Sequence, residues 1–302
     1  MGWKTKIAAI AILTACSGKE PEPVPQEPVE DIAPVSILDQ PAPEIAALQM
    51  YMLDCGVIEI SDLDSFSSTG DYAGVTDTFS NTCWLLRHPE GDFLWDLGLP
   101  TGIAGLGHQE NGLFTLSMDR TISDQLAEIG MFASDIDWVS ISHSHFDHAG
   151  QADQFQNAKW IVHADEFTAM FPKGTASEET DAEDANPFAN FASLERSEFT
   201  GEFDIFGDGS AIIIPTPGHT PGHTSLFVDL PEMGPVLLTG DLYHRHESRE
   251  LKRVPRFNED EALTRASIEA FEKRAEATGA RIIIQHEMDD IDTLPKSPEP
   301  IR

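Results

Sequence analysis

Apolar and polar positions alternate along several stretches of the chain, and a period of two marks an extended strand with side chains on opposite faces. Leu48 to Ile60 (LQMYMLDCGVIEI) reads as the first strand, Asn81 to Arg87 as the second and Phe93 to Asp96 as the third. The turn His88-Pro89-Glu90-Gly91-Asp92 joins the last two into a hairpin. Further strands are predicted over Trp138 to Ser142, Lys159 to Val162, Ala211 to Pro215, Ser225 to Asp229, Pro235 to Thr239 and Arg281 to Ile284. A helical period replaces the alternation over Thr121 to Ile129, Asp165 to Met170 and Asn258 to Thr278. The last helix is expected to be capped by Asn258 and closed by Gly279. Residues 61–78 and 101–117 read as loops, the second lying over a site. Residues 172–198 are acidic and weakly periodic, and read as a mobile loop or helical insertion near the site mouth. Strands dominate each half and helices close it, so the pattern predicts a layered α/β sandwich rather than an alternating βαβ chain.

Composition narrows the partners. The chain has 302 residues, 40% of them hydrophobic, enough for one large domain or two small ones with a real core. Acidic residues outnumber basic ones 52 to 19, a formal charge of −33. Phosphates would be repelled, so nucleic acid is not expected as a partner, and the charge reads as solubility or adaptation to salt.

The first residues do not fit the sandwich. Lys4 and Lys6 precede an apolar run, Ile7 to Ala15, that is too short to span a bilayer as a mature helix. Leu13-Thr14-Ala15-Cys16 resembles the bacterial lipoprotein signal, which implies cleavage before Cys16 and lipid on that residue. Residues 1–15 are then a signal peptide, and the Pro- and Glu-rich residues 16–46 an extended tether. Residues 47–302 form the domain, held at the bacterial cell envelope on the outer-membrane or periplasmic side. An oxidising compartment permits a disulfide between Cys55 and Cys83, though two buried free thiols suit their apolar surroundings equally.

The chemistry concentrates in Ile141-Ser142-His143-Ser144-His145-Phe146-Asp147-His148-Ala149-Gly150, directly after a predicted strand. Alternation points His143 and His145 the same way, and the bend that follows lets Asp147 and His148 face a second point nearby. Neutral imidazoles and carboxylates are the donors that zinc and similar divalent ions prefer. Three later segments also stop an apolar strand with a candidate donor: Thr216-Pro217-Gly218-His219-Thr220-Pro221-Gly222-His223-Thr224, Leu238-Thr239-Gly240-Asp241 and Ile282-Ile283-Ile284-Gln285-His286. Strand ends converge on one edge of a sandwich, so these residues can meet.

With this order of motifs, residues of roughly 50–292 resemble the metallo-β-lactamase-fold superfamily, whose hallmark is His-x-His-x-Asp-His. The resemblance implies a four-layer αβ/βα sandwich and two divalent metal ions, Zn2+ by preference with Fe, Mn and Co also suited to N/O donors. It assigns one metal to His143, His145 and His223, the second to Asp147, His148 and His286, and makes Asp241 the bridge. Asp96 is expected to support the cluster and His219 to be a non-ligand. Trp95 to Pro100, His145 to Gly150, Thr216 to Phe227 and the Gln285-His286 ending are most similar to the N-acyl-homoserine lactonase branch. That likeness implies a small-molecule ester or lactone substrate, opened by hydroxide shared between the metals, with Asp147 handling the proton. In those lactonases a catalytic Tyr falls three positions after the bridging Asp; here Tyr243 falls two after and His244 three after, so both are candidate oxyanion donors. Leu106, Leu113, Phe114, Leu116 and Met118 are candidates for an acyl groove or for core. A β-lactamase, a glyoxalase II-like thioesterase and a phosphotriesterase are the rival activities, a metal-binding lipoprotein without catalysis is the rival from another class, disfavoured by the complete ligand set, and a homodimer is an open option for assembly.

Overall fold

The computed structural model describes residues 44–172 and 186–302. The expected signal peptide, nearly all of the tether and residues 173–185 of the acidic insertion lie outside the described residues. No described helix is long and apolar enough to cross a membrane.

Two sheets form the centre. The larger is built from β1 (Gln49–Ile60), β2 (Asp77–His88), β3 (Gly91–Trp95), β4 (Gln109–Asn111), β5 (Phe114–Ser117), β6 (Trp138–Ser140), β7 (Lys159–His163) and β8 (Arg196–Phe199), in the order β4-β5-β1-β2-β3-β6-β7-β8. The smaller holds β9 (Phe203–Asp204), β10 (Ala211–Pro215), β11 (Thr224–Leu230), β12 (Gly234–Leu238) and β13 (Arg281–Ile283), in the order β13-β12-β11-β10-β9. The helices are α1 (Ile122–Glu128), α2 (Ala164–Met170), α3 (Ala189–Ala192), α4 (His246–Leu251), α5 (Glu261–Thr278) and α6 (Met288–Ile291).

Alternation decides which layer each residue joins. Met50, Met52, Trp84, Leu86, Phe93 and Trp95 of the large sheet meet Ile213, Leu226, Val228, Val236, Leu238 and Ile283 of the small one, giving the core between the sheets. The intervening residues Leu53, Leu85 and Leu94 turn outward and are covered by Ile122 and Leu126 of α1 and by Met170 of α2. Phe227 and Leu237 face the other way, beneath Ile268, Phe271 and Ala275 of α5. Both faces of both sheets are therefore apolar and covered, and the result is the expected four-layer sandwich.

Several elements differ from the sequence reading. Residues 61–78 carry a short 3-10 helix, Leu63–Phe66, and β2 begins at Asp77 rather than Asn81. Residues 101–117 contain the hairpin of β4 and β5, which extends the large sheet past β1. Arg196–Phe199, read as part of the insertion, pairs in parallel with β7. Helix α5 starts at Glu261, because Asp260 supplies the cap by accepting the Leu263 amide at 2.9 Å. Asn258 stands outside the helix and is used elsewhere. Gly279 closes α5 at φ 66, as expected. Cys55 and Cys83 are joined by a disulfide between β1 and β2, with Cα atoms 5.9 Å apart.

Candidate metal centre

Every candidate donor sits where a strand stops. Asp96 follows β3, the His143–His148 turn follows β6, His219 lies between β10 and β11, Asp241 follows β12 and His286 follows β13. Parallel pairing of β3 with β6 and of β12 with β13 puts these ends on one edge of the sandwich.

Two main sets of donors result, Asp241 reaches both, and Asp241, His244 and His286 form a third group that overlaps them. In the first, His143 Nε2 lies 2.8 Å from His145 Nδ1, which lies 3.1 Å from His219 Nε2. Asp241 Oδ2 is 3.2 Å from His219 Nε2 and 3.5 Å from His143 Nε2. In the second, His148 Nε2 and His286 Nε2 are 3.3 Å apart and lie 3.6 and 3.7 Å from Asp147 Oδ2. Asp241 Oδ1 is 3.1 Å from the first of these rings and 2.9 Å from the second. Bonds of ~2.0–2.1 Å in a tetrahedron place neighbouring donor atoms ~3.3 Å apart, so both sets are the size a zinc-like ion requires. The mix of imidazole nitrogen and carboxylate oxygen matches the same ions.

The opposite ring nitrogens are tied down, which fixes each ring's direction. His148 Nδ1 meets Asp96 Oδ2 at 3.0 Å, His286 Nδ1 donates to the Ser80 carbonyl at 2.8 Å and His219 Nδ1 meets Asn258 Oδ1 at 3.2 Å. Asp96 also accepts the Ser142 amide at 2.6 Å and the Gln285 side-chain amide at 2.9 Å, so it supports the cluster as expected. It does so from a left-handed backbone, φ 61. Asn81 donates to the Asp147 carbonyl at 2.8 Å.

His219 and His223 exchange the parts the resemblance gave them. His223 Nδ1 lies 3.0 Å from the Thr216 carbonyl and its Nε2 accepts the Asp241 amide at 2.9 Å. Both nitrogens are used and the ring is fully buried, so His223 braces Asp241 from behind while His219 faces the first set. Tyr243 is the second correction. Its hydroxyl donates to Glu272 at 2.8 Å and its ring packs with Phe271 of α5, on the far side of β12 from the donors. It does not face the site. His244 does: its Nε2 is 3.0 Å from Asp241 Oδ2 and its ring stacks on His286, with centroids 5.5 Å apart.

Charge follows from this packing. Burial holds His143 and His223 well below the ordinary imidazole range, and burial together with His219 pushes His145 down to about 4. These rings are neutral and offer lone pairs. Burial also opposes charge on His148, but Asp241, Asp96 and Asp147 overcome it and raise the ring well above its usual value. His286 is raised in the same way by Asp241 and Asp147. The second set is thus a strongly negative place that attracts a cation or, without one, protons.

The centre opens into a cavity of about 290 Å³ lined by Ile58, Ser65, Phe66, Phe79, Leu113, Phe114, His145, Phe146, Asp147, Asp241, His244, Phe257 and His286. Of the groove candidates, Leu113 and Phe114 line it, Leu116 and Met118 are buried core and Leu106 is exposed. Phe66, Phe79 and Phe257 were not singled out from sequence, since two of them lie in segments with no regular period.

The architecture and its paired donor sets define a class, and the comparisons agree. The metallo-beta-lactamase superfamily model matches residues 76–286, so the chain belongs to that superfamily and is a metal-dependent hydrolase. Among its relatives is the N-acyl homoserine lactonase AttM of Rhizobium radiobacter, 28% identical over 263 residues that cover 83% of this chain and 98% of the relative. The lactonase AiiA of Bacillus thuringiensis subsp. kurstaki is 29% identical over 214 residues, 68% of this chain and 81% of the relative. A crystal structure of a B. thuringiensis AiiA mutant with N-decanoyl-L-homoserine at the active site superposes with a TM-score of 0.71 at 25% identity, covering 85% of this chain and all of that one. The dizinc quorum-quenching lactonase AidC shares the fold, with a TM-score of 0.60 at 19% identity and coverage of 82% of this chain and 91% of that one.

Proposed function

We propose that the chain opens the lactone ring of N-acyl homoserine lactones, or of lactones with a similar apolar tail, at a centre of two divalent ions, with Zn2+ preferred. The observation that carries this reading is one cavity that has shared metal donors at its floor and phenylalanines around its wall. A polar ring would sit over the donors while a hydrocarbon chain lies among the rings. The relatives named above are lactonases, which supports the same substrate class.

His143, His145, His219 and Asp241 would hold one ion, and Asp147, His148 and His286, with the second Asp241 oxygen beside the two rings, the other. When bound, two such ions supply Lewis acidity: they polarise an ester carbonyl and make water acidic enough to act as a nucleophile near neutral pH. The chain's own residues do the rest. Asp147 lines the cavity and carries the proton to the leaving alkoxide as the ring opens. His244, rather than Tyr243, lines the cavity beside Asp241, so it is the side chain nearest the oxygen that becomes negative. The phenylalanine wall orients the tail and excludes water.

We also propose that the domain is lipid-anchored. Lipid on Cys16 would hold the domain at the cell envelope, and the Cys55–Cys83 disulfide suits that oxidising compartment. Palmitate labelling that persists in a Cys16→Ser variant would contradict the anchor.

The substrate is tested on the full chain with homoserine lactones of increasing acyl length, other lactones, nitrocefin, S-lactoylglutathione and paraoxon, each with and without chelator. Chelator-sensitive turnover of acyl homoserine lactones ahead of the other substrates is expected. Turnover of nitrocefin alone would overturn the reading.

A further inference from the structure

Glu166 stands in the first turn of α2, 1% exposed, and no substrate-lining role involves it. Its two oxygens reach two different turns. Oε1 accepts the Ser144 amide at 2.7 Å, in the residue between His143 and His145. Oε2 accepts the Thr220 hydroxyl at 2.7 Å and the Gly222 amide at 2.9 Å, in the turn that carries His219. Gly222 packs so closely here that a Cβ on it would come within 2.2 Å of the Glu166 amide nitrogen. One buried carboxylate therefore bolts together the two turns that bear all three histidines of the first donor set. The second set takes Asp147 and His148 from the far end of the first turn and His286 from the end of β13, which Glu166 does not touch.

We propose that Glu166 is a positioning residue chiefly for the first metal site, setting the distance between the His143/His145 pair and His219. A carboxylate suits this post because all three groups it meets are donors. An amide in its place keeps one accepting oxygen and turns its NH2 against a backbone N–H, whichever way it is rotated. Either Ser144 or Gly222 must then move, and a shift of a few tenths of an ångström is felt directly by ligands on those turns.

The inference rests on the two-ion reading, and the experiment separates them. Co2+ is added to metal-stripped full-length protein, and affinity is read from its visible absorption. A His286→Ala background leaves the first set intact, and a His219→Ala background leaves the second. Glu166→Gln should weaken binding ~10–100-fold in the first background and by a clearly smaller factor in the second, which shares only the turn that carries Ser144. Equal weakening in both, or none in the first, overturns the inference. Failure of the unsubstituted chain to take up two equivalents would instead remove the two-ion reading. If Glu166→Gln does not fold, Thr220→Val decides the matter, because it deletes one bond and leaves the carboxylate in place. A smaller loss confined to the first set supports the role, and unchanged affinity there overturns it.

Discussion

At the scale of single residues, the donors were legible because their types are rare and their order is fixed, but their division of labour was not. His219 and His223 sit four apart on a Gly/Pro turn, where neither period applies. What separates them is packing: an added Cβ on Gly218 would come within 2.3 Å of the Thr264 amide, so the turn is pressed against α5, and Asn258 then aims His219 at the centre. Tyr243 misled for a similar reason, since one position of offset after a strand end decides between site and core. Tyr243→Phe should accordingly leave kcat/KM within about twofold, and cost only the ~0.5–1.5 kcal/mol of its bond to Glu272 in chemical denaturation. Asp147→Asn should keep bound metal and lose ~10²–10⁴-fold in kcat, read from turnover and metal content on the same sample. Full activity in that variant would take the proton-transfer role away from Asp147.

At the scale of elements, strands with an apolar run were found even when short, as β6 and β13 are, and the polar ones were missed. β4 and β8 are three and four residues long and polar, so no alternation announces them; pairing with β5 and β7 creates them. The segment before β2 was missed as a wall of the cavity because Leu63, Phe66 and Tyr72, which bury it against Ile58, Ile60 and Phe79, follow no regular period; ion pairs then clasp it to a second segment. Arg253 pairs with Asp71, Arg256 with Asp64 and Arg245 with Asp77, joining residues 61–77, which carry Phe66, to residues 244–257, which carry His244 and Phe257. Partly exposed pairs contribute only ~0.2–1 kcal/mol each, so they tune this wall rather than hold the fold. Arg253→Ala with Arg256→Ala should raise KM two- to tenfold for long acyl chains and leave short-chain kcat nearly unchanged. The same selectivity should fade in high salt. An equal effect on short and long chains would count against the clasp.

At the scale of the molecule, the sandwich followed from the order of strands and the helices that flank them, and the convergence of strand ends on one edge was expected from the same pattern; which donor joins which set needed the tertiary structure. The collected charge has a pH consequence. Carboxylates raise His148 and His286, so in the metal-free chain these rings keep their protons to a higher pH than a free imidazole does. A cation must displace them. Binding should therefore release protons and weaken as the pH falls, with lower affinity at about pH 6 than at about pH 8. Calorimetry in buffers of different ionisation enthalpy measures this directly, and binding without proton release would contradict it.

The central claim is that two donor sets sharing Asp241 hold two ions. Elemental analysis of the purified full-length protein and its His219→Ala and His223→Ala variants tests it most directly. The account predicts two equivalents of transition metal in the native chain, about one after His219→Ala, and more than that after His223→Ala, where only the brace behind Asp241 is lost. No bound metal in the native chain, or loss of an ion with His223 but not with His219, would contradict it.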